Sequence, residues 1–112
     1  MNLGQVETGN AFFIEAVFDA TRIAPTAQTS AVTFTIEDPA GTETTTSSAH
    51  ANISGPVVTT LDDGRKRSTW TLTVAGVTLP GRYTVRSRST AGLVASRTDH
   101  FDVPTYAPLA TA

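Results

Sequence analysis

The 112-residue chain contains no cysteine, which excludes thiol chemistry, a disulfide framework and thiolate metal sites, so packing alone must hold the fold. Long hydrophobic runs are missing as well. The most apolar stretch, residues 11–18, is broken by Glu15 and falls far short of the roughly 20 apolar residues that a membrane helix needs. No membrane insertion is expected. The opening residues MNLGQVETGN carry neither the basic start nor the apolar run of a secretory signal, and synthesis and residence in the cytosol is the expectation. Without export, the glycosylation-like tripeptide Asn52-Ile53-Ser54 reads as a chance match. A strong charge of one sign is lacking too: the net charge is −2, so no overall field draws the chain toward nucleic acid or an acidic membrane.

What charge there is falls unevenly. Up to Pro56 the acids Glu7, Glu15, Asp19, Glu37, Asp38 and Glu43 face a single base, Arg22. From Val57 onward, Arg65, Lys66, Arg67, Arg82, Arg86, Arg88 and Arg97 outnumber Asp62, Asp63, Asp99 and Asp102. The first part is acidic and the second basic.

Threonine makes up roughly a fifth of the residues, and β-branched side chains suit the pleated surface of strands better than a helix. No window shows sustained helical periodicity, whereas residues 31–37 alternate strictly: Val32, Phe34 and Ile36 on one side, Thr33, Thr35 and Glu37 on the other. The following Asp38-Pro39-Ala40-Gly41 has the residue preferences of a type I turn, so the chain reverses there. The same reasoning predicts strands over 5–8, 12–19, 31–37, 42–48, 57–61, 67–74, 82–89 and from about 93 to 103. Phe12, Ile14, Ala16 and Phe18 point inward, as do Trp70, Leu72 and Val74, and Asp62-Asp63-Gly64 closes a hairpin. Seven or eight short strands punctuated by turns predict an all-β chain, an immunoglobulin-like sandwich of two antiparallel sheets. The Gly81-Arg82-Tyr83 turn makes Tyr83 the candidate for the tyrosine corner of such a sandwich, and Trp70 is read as a core anchor. Residues 1–10 form an arm and edge strand, 11–103 the sandwich, and 104–112, with two prolines and no alternation, an extended arm.

Several segments together carry a resemblance: the arm Leu3-Gly4-Gln5-Val6, the VTFTIEDPAGT strand and turn, the Gly-x-Tyr-x-Val strand at 81–85 and the closing Phe101-Asp102-Val103. Over residues 3–103 the chain resembles the small Ig-like domain proteins of tailed-bacteriophage virions. DPxG turns and GxY strands also occur in bacterial surface and polysaccharide-associated Ig-like modules. The resemblance implies a non-enzymatic structural virion protein, a capsid decoration or minor capsid protein, or an appendage near the head-tail junction or tail. It would be made in the host cytoplasm and would bind the major capsid protein or tail and connector proteins, with self-association possible. It brings no catalytic residues, no cofactor and no small-molecule substrate. The alternative is a carbohydrate-binding or adhesion module, which needs a planar row of exposed aromatics, and aromatics are only 7% of this chain. A nucleic-acid binder would need exposed aromatics interleaved with its basic residues.

Enzymatic constellations fail the same test. His50 lies in a polar loop, and His100 and Asp99 are strand neighbours that point to opposite faces. Asp62 and Asp63 could offer oxygens to a hard cation, but Arg65-Lys66-Arg67 beside them favours a solvated, self-compensated hairpin tip. No phosphate loop, HExxH or GxSxG pattern occurs.

Candidate binding residues come from alternation instead. If Tyr83 and Val85 face the core, Arg82, Arg86 and Arg88 stand in a line on the opposite face. Phe13 and Val17, with Glu15 and Asp19, project from the outer side of the second strand, which belongs to the other sheet of such a sandwich. One outer face is expected to be basic and the other acidic with two exposed apolar side chains, a docking surface with Tyr106 and Leu109 of the last arm as further anchors. The competing reading is that the amino-terminal arm covers Phe13 and Val17 or that they stand singly, that the arginines only solvate the surface, and that the last arm frays.

Overall fold

A computed structural model describes residues 2–6, 9–92 and 95–104. Eight strands follow one another, with no helix among the described residues: β1 Asn2–Gln5, β2 Phe12–Asp19, β3 Thr29–Glu37, β4 Glu43–Ser47, β5 Ile53–Thr60, β6 Lys66–Val74, β7 Gly81–Gly92 and β8 Ser96–Val103. They form a five-stranded sheet in the order β1-β8-β7-β3-β4 and a three-stranded sheet in the order β2-β6-β5, an arrangement compatible with a β-sandwich.

Alternation decides what each sheet buries. On β2, Ile14, Ala16 and Phe18 are buried while Phe13, Glu15 and Asp19 are exposed. Opposite them on β6 stand Leu72, Trp70 and Ser68, so the smallest core side chain, Ala16, makes room for the largest, Trp70. From the other sheet come Val32, Phe34, Tyr83, Val85, Phe101 and Val103, all within one cluster. A fully buried side chain such as Phe34 contributes about 1.5–3 kcal/mol of apolar burial.

Two turns form as their residues require. The Asp38 carbonyl accepts from the Gly41 amide at 2.9 Å, and its Oδ1 accepts from the amides of Ala40 and Thr42 at 3.0 and 2.9 Å. Gly41 takes φ +89°, a conformation that side chains rarely adopt. At the β5–β6 hairpin the Arg65 guanidinium holds Asp63 at 2.6 Å, which draws the Asp63 carboxyl below its ordinary range. Of the expected compensation only the Arg65–Asp63 pair forms within the tip, since Arg67 turns to Asp19 and Lys66 to the Thr60 hydroxyl, and among the described residues no three metal-ligating side chains converge.

β3 begins at Thr29, two residues before the sequence expectation, and four further strand placements differ from it more. β1 covers Asn2–Gln5 rather than 5–8, of which 7 and 8 lie outside the described residues, and it pairs in parallel with β8, so the larger sheet is mixed rather than purely antiparallel. No hairpin joins β1 to β8, and nothing therefore forces an antiparallel pair. β5 begins at Ile53, hidden from a reading by alternation because the register shifts between Ser54 and Val57 around Gly55-Pro56. β7 runs on to Gly92, and β8 is described only from Ser96.

Tyr83 fastens the end of the core. Its ring stacks on Phe101 at 4.7 Å, and its hydroxyl donates to the Leu79 carbonyl at 2.7 Å. Burial, with the charge of Asp38 adding to it, raises the phenol above its ordinary value of 10.0. A value raised by folding means a contribution that is complete below pH 10.0 and lost as the pH climbs through the higher folded-state value. Tyr83→Phe is expected to cost about 1 kcal/mol at neutral pH and to remove this share of the alkaline loss. Urea melts of both proteins from pH 8 to 11 check it, and parallel stability curves would refute it.

Candidate docking face

The outer face of the five-stranded sheet is built from cross-strand rows of short hydroxyl side chains. One row runs Ser47, Thr33, Arg88, Ser96 and the next Thr45, Thr35, Arg86, Thr98. Around the two arginines lies an open concavity of about 620 Å³ floored by threonine and serine. The neighbours of each arginine in its row are short, and beside the concavity the Thr35 and Thr45 hydroxyls bond each other at 2.9 Å.

Arg82, Arg86 and Arg88 do project from this face, yet the face is not basic as a whole. Arg82 donates to Asp102 at 3.0 Å, and Arg86 forms an ion pair with Glu43 on the edge strand β4. Glu37 shares its cross-strand row with Glu43, so the three arginines meet three acids on the same side. The sequence missed this because Glu43 and Arg86 are far apart in the chain and meet only through the β4-β3-β7 order. Arg88 differs: it has no ion pair among the described residues, and its row is all hydroxyl. Positive charge is concentrated at that end alone.

The other expected half lies on the opposite sheet. Phe13 is 72% exposed, Val17 is partly covered, and Asp19 is held by Arg67 through two hydrogen bonds of 2.7 and 3.0 Å, which draw its carboxyl below the ordinary range. Phe13 and Val17 therefore share no surface with Arg82, Arg86 and Arg88. The described part of the amino-terminal arm, with Leu3 and Val6, borders Phe13 without covering it. Tyr106 and Leu109 lie outside the described residues.

Two charged residues belong to neither group, a buried Asp99 and a partly exposed Arg97. Asp99 is 1% exposed, and Arg97 reaches it at 3.5 Å while donating to the Val17 carbonyl at 3.1 Å, linking β8 to the edge of β2. Asp99 and His100 point to opposite faces, as alternation requires. Comparisons with known proteins return no matching family model, no matching curated protein and no matching solved structure.

Proposed function

We propose that the chain is a non-enzymatic Ig-like virion protein of the tailed-bacteriophage kind, which docks on the capsid or tail lattice through the outer face of its five-stranded sheet. The Ig-like part of the reading is supported by strand order. Taking β2, β3, β4, β5, β6, β7 and β8 as B, C, C′, D, E, F and G gives a GFC sheet extended by C′ against a B-E-D sheet. Tyr83, at the start of β7 and bonded to a carbonyl four residues upstream, has the position and bond of a tyrosine corner. The large indole departs from the antibody pattern, standing on β6 while β3 carries Phe34.

The single observation that carries the docking role is that Arg88, on a broad hydroxyl-rich face, has no ion pair among the described residues. Arginine offers a planar fork of donors suited to carboxylates, and a repeated lattice multiplies a modest contact. The carbohydrate alternative gains little: Phe13 is the one exposed aromatic among the described residues. Arg88→Glu is expected to lower occupancy on purified particles at least about tenfold while leaving stability within about 0.5 kcal/mol, since the side chain supports no described contact. Normal incorporation of the variant would refute the docking face.

A further inference from the structure

We infer that this face recognises a carboxylate-bearing segment of another protein and that Arg88 is its reader, because Arg86 already holds a carboxylate of this chain; the inference rests on the docking face proposed above. The geometry repeats along the sheet. Arg86 stands in the row of Thr45, and its acid, Glu43, comes from the same edge strand two residues away. Arg88 stands in the row of Ser47, and the residue in the corresponding place is Thr45, which brings a hydroxyl and no charge.

The two arginines are therefore equivalent in backbone placement and unlike in electrostatics. One is neutralised in cis, and the other is left for a partner. The step between the two places is two residues of strand, about 7 Å. The Glu43 contact also argues for the class of ligand. A carboxylate already lies on this surface against an arginine of the same column, beside the Thr35–Thr45 hydroxyl pair. Arg82, in the same column, is likewise held by a carboxylate, that of Asp102. The surface takes carboxylates at every arginine where one is within reach.

The reading makes Thr45 and Glu43 the residues that set specificity. Thr45→Glu would build the missing acid in cis, satisfy Arg88 and close the site. Glu43→Gln would release Arg86 and give a second reader. Isotope-labelled protein titrated with a hexaglutamate peptide at low salt is expected to show saturable shifts at Arg88, Thr33 and Ser96. Thr45→Glu should weaken them at least about tenfold, and Glu43→Gln should strengthen binding several-fold and add Arg86 to the shifted set. Thermal melts of both variants identify any loss of folding, and Glu43→Gln, which should gain binding, cannot succeed by unfolding.

Absence of shifts at Arg88, or shifts indifferent to Thr45→Glu, would overturn the inference. So would a hexathymidylate binding the same residues as tightly as the peptide, which would make phosphate the ligand. Particle incorporation separates this from the docking face itself. If Arg88→Glu blocks incorporation and Thr45→Glu does not, the face stands and the carboxylate reading falls; if neither does, both fall.

Discussion

Trp70→Ala is expected to destabilise the protein by about 3–5 kcal/mol, a large share of the roughly 5–15 kcal/mol that holds a domain together. The indole is 4% exposed and fills the space that Ala16 leaves across the β2–β6 pair. It also ties the two sheets: its Nε1 donates to the Thr29 carbonyl at 3.0 Å, and the Thr29 amide donates to the Ser68 hydroxyl at 3.1 Å. Thr29 lies where the β3–β7 register shifts, so its backbone groups find partners on the opposite sheet. Truncation would therefore open a cavity and strand a buried carbonyl together. Trp70→Phe, which keeps a ring and loses the donor, should fall between the parent and alanine. Thermal and urea melts check both. An alanine variant melting within a degree of the parent would refute the account, since the expected loss corresponds to more than about 10 °C.

Arg97→Ala is expected to cost about 3 kcal/mol although the guanidinium is partly exposed. Removing it takes the cation away from Asp99, and a buried carboxylate that loses its cation is expensive. The same side chain occupies the Val17 carbonyl on the free edge of β2, and an uncovered edge strand invites pairing with another chain. The variant should thus melt earlier and also associate at high concentration, which light scattering measures. Replacing both residues, Arg97→Leu with Asp99→Leu, should recover much of the stability, because the cost lies in a buried carboxylate deprived of its cation. A double variant as unstable as Arg97→Ala would show that the ion pair is not the cause.

The charge pair was open to a sequence reading by parity. Phe101 and Val103 face the core, and counting back by twos from them reaches Asp99 and Arg97, so alternation placed both inward. Hydrophobicity masked it, since charged residues on a strand are taken to face solvent. The docking face was open by the same rule as far as Arg82, Arg86 and Arg88, which project together from β7. Their difference was not. Glu43 reaches Arg86 only because β4 pairs with β3 in the register Thr35–Thr45, and no local pattern states that register. β5 starts earlier than alternation indicates for a related reason: Gly55-Pro56 interrupts the alternation, while pairing with β6 on both sides of the shift continues the strand.

Composition and alternation by themselves determined an all-β chain, its two tight turns and most of its core, with Ala20, Ile53, Phe101 and Val103 added by the structure, because burial on a strand repeats every second residue and turn residues act locally. Only the tertiary structure decided that β1 runs parallel to β8, that Trp70 fastens Thr29 across the sheets, and that Arg82 and Arg86 pair with Asp102 and Glu43 while Arg88 has no ion pair among the described residues. Each of these depends on which strands become neighbours and in what register, and the energy that selects them comes from contacts between residues far apart in the chain.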